Sequence, residues 1–301
     1  MKQLLKKFLL YAAIVTAIYW GYLTAMSAIL NRDNLYKVDA QKTVLLMGDS
    51  HIAYGIIDSN MEHVINLSQP ADMYLYNYLK LQKLLPQNPQ IRTVVIGCAG
   101  HNIQQFWSDV FLTKQGFTQA KVQNYYHLLS TTDMSYLLYH SPEQVIKGVV
   151  GLPKLKTPYL LKILRHQPVT LEQLKIGGYA FHDDKLDLDK NRADVDKLNK
   201  KGTDQLALWT WHINYLHKIV DLCKSRGVNV VFVRTPEHKL FPKPIEPEFQ
   251  KFLKREFPDV PFADFMKMDL PDSCFADLDH LNYYGAKVFS DSFAHYAATL
   301  R

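Results

Sequence analysis

Charged and apolar positions divide this chain into blocks. From Phe8 to Leu30 there are 23 residues without a charge, preceded by Lys2, Lys6 and Lys7 and followed by Asn31-Arg32-Asp33. At 1.5 Å per helical residue such a run spans the roughly 30 Å hydrocarbon core of a bilayer. Residues 31–42 read as a short polar linker. Thr43-Val44-Leu45-Leu46-Met47 is a nearly continuous apolar run closed by Gly48, the pattern of a strand buried on both faces. Val64-Ile65-Asn66-Leu67 and Thr93-Val94-Val95-Ile96 are two further strands, with a helix from Ala71 to Leu85 between them that Pro86 closes. Later, Leu206, Trp209, Ile213, Leu216, Val220 and Cys223 recur at spacings of three and four, and Gly227 stands where a C-terminal cap belongs. Val228–Val233 is the next strand, Pro261-Phe262-Ala263 a short last one, and a helix from about Tyr283 to Leu300 ends the chain.

Strands alternating with helices predict an α/β fold: a three-layer sandwich with a mainly parallel sheet. In such sheets ligands bind beyond the carboxyl ends of the strands. That rule gathers Ser50, the loop after Leu67 and the loop after Ile96 at one edge. Residues 104–205 break the rhythm, with prolines at 142, 153, 158 and 168. They read as a largely helical insertion able to lid the site, ending in a charged loop from Asp183 to Asp204. The organisation expected is an anchor over 1–30, a linker over 31–42 and a catalytic domain over 43–301 that carries the insertion.

Composition adds little until charge is located. The chain has 301 residues and a formal net charge of +6, three units of which lie in the first thirty residues. The surplus left for the domain is too mild for a nucleic-acid surface. The lysines before the apolar run place the N-terminus in the cytoplasm and the domain outside the cytoplasmic membrane. A cleaved signal peptide is the alternative, with small residues at Ala25-Met26-Ser27-Ala28; the run is longer than the usual h-region. Either way the domain is exported. Cys98, Cys223 and Cys274 lie far apart and read as three separate buried thiols, with one disulfide as the alternative for a domain in an oxidising compartment.

Two motifs carry chemistry. Gly48-Asp49-Ser50-His51 puts a serine at the tip of a buried strand. A serine hydroxyl needs a base to become a nucleophile, and His51, adjacent in sequence, is a poor one because neighbouring side chains need not converge. The base comes from Asp277-Leu278-Asp279-His280-Leu281-Asn282-Tyr283-Tyr284-Gly285. An acid three residues before a histidine can bond its Nδ1 and leave Nε2 to the serine, so Asp277 orients His280. Asp279 reads instead as an acid at the start of a helix.

A strand ending in Gly-Asp-Ser, with Asp-x-x-His-Leu-Asn-x-x-Gly before a C-terminal helix, resembles the SGNH (GDSL-like) hydrolase superfamily. With its anchor and insertion the chain looks like the exported branch that includes the alginate O-acetylation and D-alanyl-lipoteichoic acid biosynthesis proteins. The resemblance covers residues 43–103 and 228–301, not the insertion. It implies an SGNH/flavodoxin-like fold, and it gives Asn102 of Gly100-His101-Asn102 to the oxyanion hole. The family also places a glycine after the second strand. Here that loop is Ser68-Gln69-Pro70-Ala71, without glycine, which leaves the Gln69 N–H, the Ala71 N–H or the Ser68 hydroxyl as the second donor. Ala71 is the one assigned, with the Ser50 N–H beside it.

The function expected is acyl transfer or ester hydrolysis on a cell-surface glycan or related acylated substrate, through an acyl-Ser50 intermediate. No cofactor or metal is called for. The resemblance implies a membrane-bound O-acyltransferase as partner if the reaction is a transfer. The alternative is an anchored glycan-binding or assembly factor with the same fold and little turnover. Two weaker patterns are set aside. Asp187–Asn191 lacks the glycine and terminal glutamate of a calcium loop. Asn66-Leu67-Ser68 matches a glycosylation acceptor but sits at a buried strand end.

Overall fold

The computed structural model of the chain describes residues 1–32, 34–114, 116–189, 207–243 and 245–300. It runs α1 (Lys2–Leu30), β1 (Val44–Met47), α2 (Ser50–Gly55), β2 (Val64–Asn66), α3 (Tyr74–Gln87) and β3 (Thr93–Gly97). Four helices follow: α4 (Phe106–Thr113), α5 (Phe117–Tyr125), α6 (Thr131–His140) and α7 (Pro142–Leu164). The chain then continues through α8 (Thr210–Ser225), β4 (Asn229–Arg234), α9 (Glu246–Glu256), β5 (Phe262–Asp264) and α10 (Tyr283–Ala297).

All four residues of β1 are buried, so this strand has to be covered on both faces. The sheet has the order β2-β1-β3-β4-β5 and every neighbouring pair is parallel. Alternate strand residues feed opposite layers, as a period of two requires. Leu45, Met47, Val94, Ile96 and Phe232 pack toward α3, α8 and α9. Val44, Leu46, Val95 and Val231 pack toward Ile52 of α2 and Phe289 and Phe293 of α10. The expected three-layer α/β sandwich with a parallel sheet is therefore what the chain forms. The order reverses between β1 and β3, which opens a crevice at their carboxyl ends. Gly48 and Gly97 face each other there. A Cβ on either would stand 2.6 Å from Ile52 Cγ1, so glycine at both positions lets Ile52 of α2 pack over the two strand ends.

Three elements differ from the sequence reading. The helix expected from Ala71 begins at Tyr74, because Gln69–Asp72 closes a turn with Asp72 N–H donating to Gln69 O at 3.0 Å. α9 has no counterpart in that reading: its inner face is only Phe249, Phe252 and Leu253, in a segment otherwise dominated by charge. The stretch 34–42 is packed rather than free, since Tyr36 is buried with its hydroxyl 2.6 Å from His127 Nε2. The charged stretch after Asp189, and Leu206 at the start of the expected amphipathic helix, lie outside the described residues.

α4–α7 form the helical part of the insertion, with α5 packed along α7. α1 is long and apolar enough to cross a membrane. Its last three turns do not stand clear of the domain: Leu23, Met26 and Leu30 are buried.

Candidate active site

Ser50 opens α2 at the end of β1, and Asp49 caps that helix, its Oδ1 accepting the His51 N–H at 3.0 Å. The Ser50 hydroxyl lies 2.8 Å from His280 Nε2. His280 Nδ1 lies 3.0 and 3.1 Å from the two oxygens of Asp277. Ser50 is thus joined in one hydrogen-bonded line to two residues 227 and 230 positions further along the sequence. The His280 loop is held by local devices that account for its motif. Asn282 Oδ1 accepts the Gly285 N–H at 3.1 Å, and its Nδ2 donates to Ser273 O and Phe275 O. A Cβ on Gly285 would meet Cys274 O at 2.0 Å. Asp277 Oδ1 also accepts the N–H groups of Asp279 and His280, each at 2.7 Å. Burial pushes the Asp277 carboxyl up, but the hydrogen bonds and charge of His280 outweigh it and hold it below the usual carboxylate range.

The loop after β2 forms one wall. Gln69-Pro70-Ala71-Asp72 has the shape of a type II turn with Ala71 at φ 58°, the left-handed conformation that usually takes glycine. The Gln69 N–H is spent on Gly48 O and Pro70 has none. Among the described residues the Ala71 N–H, like that of Ser50, has no acceptor. Ala71 and Ser50 both line a cleft of about 490 Å³. Ser68, by contrast, is fully buried. Asn102 sits behind the wall: its Oδ1 accepts the Ala99 N–H, its Nδ2 donates to Asp49 Oδ2 at 2.8 Å, and it is His101 that lines the cleft.

A second histidine lies beside this hydrogen-bonded line. His51 is buried, stacked on His101 with ring centroids 4.4 Å apart and tilted against His280 at 5.0 Å. Its Nε2 faces Asp279 Oδ1 at 3.4 Å, an ion pair rather than a hydrogen bond. Asp279 therefore does not begin a helix; α10 starts four residues later, capped by Asn282. Burial pushes the His51 imidazole down, but the charges of Asp279, Asp49 and Glu237 carry it up to about 10. Asp279 is displaced downward despite its burial, chiefly by His51. Asp49 moves the same way against its burial, through His101, His51 and Asn102. The sequence reading passed over His51 because adjacency to Ser50 says nothing of direction. The acid between Asp277 and His280 was the available signal.

The pairing sets a pH window. With His51 raised from 6.5 to about 10, its partnership adds stability that is complete below pH 6.5 and fades as pH climbs toward 10. The lowered Asp279 sets the acid edge, because that contribution falls away below about pH 3.8. The stability lost on Asp279→Asn is expected to be largest between these limits and to shrink steadily above pH 6.5. Urea midpoints of both proteins across pH 5–10 check this; a constant difference would contradict it.

The groups Asp49–His51–His101 and His51–Asp279–His280 each bring three ligand-type atoms within 4.8 Å. In both, the carboxylates are already engaged by imidazoles. Asn66 of the glycosylation pattern is closed off: it is buried, with Nδ2 on Ile52 O and Ile56 O.

The insertion supplies the apolar side of the cleft through Trp107, Val110, Phe111 and Phe117. It also reaches the turn. Lys121 Nζ on α5 donates to Pro70 O at 2.7 Å and to Asp72 Oδ1 at 2.6 Å. Lys80 Nζ donates to Asp72 Oδ2 at 2.7 Å and to Leu67 O at 2.6 Å, and the Tyr125 hydroxyl donates to Asp72 Oδ2 at 2.9 Å. Lys121→Met would leave Asp72 with Lys80 but free the Pro70 carbonyl. A displacement of the turn by a fraction of an ångström is expected to lower kcat about 10–100-fold with little change in KM. Steady-state kinetics on an activated ester measure it, and an unchanged kcat would remove Lys121 from the positioning of the turn.

One family model, which carries no descriptive name, matches residues 190–299. No curated protein matches the chain. Solved structures similar to it include a candidate acylhydrolase from Bacteroides fragilis, at 12% identity and a TM-score of 0.40, covering 89% of this chain and 93% of that one. Another is a GDSL-like lipase from Bacteroides thetaiotaomicron, at 10% identity and a TM-score of 0.38, covering 93% of this chain and 98% of that one.

Proposed function

We propose that this chain is a serine-dependent acyl-transfer enzyme of the SGNH type, working through an acyl-Ser50 intermediate. The observation that carries the reading is the hydrogen-bonded line from Asp277 through His280 to Ser50, opening on a cleft beside two N–H groups that have no acceptor among the described residues.

In this reading Ser50 Oγ attacks an ester carbonyl while His280 Nε2 takes its proton. Asp277 fixes the imidazole tautomer and stabilises the imidazolium that forms. The oxyanion is held by the N–H groups of Ser50 and Ala71. An oriented donor of this kind contributes about 2.7–4 kcal/mol at the transition state. Asn102 acts through Asp49, which it holds at the start of α2. His280 then returns the proton to the leaving alkoxide. In the second half it deprotonates water or an acceptor hydroxyl, which attacks the acyl group and releases Ser50.

The substrate class proposed is an acylated cell-surface glycan or a related ester, handled outside the cytoplasmic membrane by a domain that α1 tethers. Transfer would draw its acyl group from a membrane-bound O-acyltransferase partner, and hydrolysis would need none. Support for the exported site comes from the basic residues before α1 and from the likeness of the anchor and insertion to the exported branch.

A fluorophosphonate probe tests the nucleophile. Stoichiometric labelling of the full-length protein is expected, lost in Ser50→Ala; equal labelling of both would sink the assignment. Product formation that rises with added acceptor at constant donor consumption identifies the transferase, and indifference to acceptor the esterase.

A further inference from the structure

We propose that the outward face of α7 rests in the headgroup–acyl boundary of the bilayer that α1 crosses, so that the protein holds the membrane through two elements. This rests on reading α1 as the membrane anchor.

The first argument is the distribution of side chains around α7. Val145, Gly148, Leu152, Lys156 and Leu160 face the domain. The exposed side is not uniformly polar: Ile146 is 57% exposed, Val150 66%, Leu161 45% and Leu164 49%. At 3.6 residues per turn these four fall in one sector about 60° wide, whose edge Glu143 shares while ion-paired with Lys147 at 2.5 Å, and Leu155, 43% exposed, falls about 120° beyond that edge. Lys147, Lys154 and Arg165 fall together about 20–40° further round. A helix with a core face, an apolar stripe and then a basic stripe has the layout of one lying at a membrane surface, where lysine and arginine meet anionic headgroups. Tyr139, 84% exposed at the end of α6, extends the apolar surface at the N-terminal end of α7.

The second argument is the place of α1. The Tyr22 hydroxyl meets Thr157 Oγ1 at 3.2 Å, and Thr157 lies within the apolar sector. The Tyr19 hydroxyl reaches Val149 O, about two turns earlier on α7. The apolar stripe of α7 is therefore continuous with the anchor.

The third argument is length. Residues 1–18 are exposed all round, and Tyr19 is the first to be partly covered. Phe8–Ile18 spans only about 16 Å, roughly half the hydrocarbon thickness. The rest must be crossed by Tyr19–Leu30, the stretch that packs on the domain. A bilayer covering those turns also reaches α7. The insertion helices α4 and α5, which wall the cleft, are then held close to the lipid surface by the packing of α5 on α7.

The test uses the full chain reconstituted in phosphatidylcholine vesicles, with and without phosphatidylglycerol, and lipids carrying a nitroxide quencher high on the acyl chain. Cys98, Cys223 and Cys274 are buried, so a thiol-reactive fluorophore reports an introduced cysteine. The label is placed by Val150→Cys on α7, by Val15→Cys within α1, and by Asp291→Cys on α10 across the sheet. Quenching at position 150 is expected to exceed that at 291 about threefold, and to be greater with phosphatidylglycerol present. Adding Lys154→Glu and Arg165→Glu is expected to reduce it about twofold in the anionic vesicles. Quenching at 15 with position 150 no different from 291 would overturn the proposal and leave the anchor standing. Absence of quenching at 15 as well would bring down the anchor and the proposal together.

Discussion

His280→Ala is expected to lower kcat for an activated ester by about 10⁴–10⁶-fold, a loss matched only by removal of Ser50 itself. The reason is geometric. His280 Nε2, 2.8 Å from the hydroxyl, is the acceptor placed for the Ser50 proton, and its Nδ1 already lies against Asp277. In the proposed mechanism, without it the serine keeps its proton at the moment of attack, and the leaving alkoxide finds no acid. His51 is no substitute, although its ring lies 5.0 Å from that of His280. Its Nε2 is held by Asp279 and its Nδ1 lies 3.4 Å from Thr235 Oγ1. The His280 side chain is 19% exposed and its backbone contacts survive the substitution. The melting temperature is expected to move by no more than a few degrees. Kinetics and thermal melts on the same preparation separate the two effects. Activity within tenfold of wild type would assign the base to another group.

Asp72→Ala is expected to cost about 3–5 kcal/mol of folding stability, the largest loss foreseen for a single substitution outside the apolar core. Asp72 and Lys80 have fully buried side chains, and Lys121 is nearly so. The carboxylate holds both ammonium groups and the Tyr125 hydroxyl. Burial pulls the Lys80 ammonium down and Asp72 counters it. Removing the acid leaves two cations facing each other in a space with little water. Exchanging Lys80 alone for methionine still leaves Asp72 paired with Lys121, so it should cost clearly less. Denaturant melts of both variants measure the difference. Equal losses would mean that packing, not charge, holds this corner. Because the same carboxylate anchors the turn at Ala71, Asp72→Ala should also reduce turnover in the fraction that remains folded.

Much of this molecule was legible in the sequence. Val44–Met47 could only be a strand covered on both faces, and the later apolar runs, alternating with helices, implied a parallel sheet with its site at the strand ends. Ser50 and the Asp277–His280 pair were readable for the same reason: each depends on a few neighbouring residues, and turns and caps are local. The Asp277 carboxylate accepting the His280 N–H three residues on is chemistry that spacing alone encodes.

Tertiary structure decided what depends on residues distant in the chain. It placed Ala71 in a left-handed conformation at the turn where the resembled family has a glycine, and tied that turn to Lys121, 49 positions from Asp72. It gave Asp279 to His51 and put Asn102 behind Asp49 rather than on the cleft. It docked the last turns of α1 on α7. In each case the deciding quantity is burial. A charge or amide removed from water takes whichever partner packing brings within reach, and spacing along the chain does not say which partner that is.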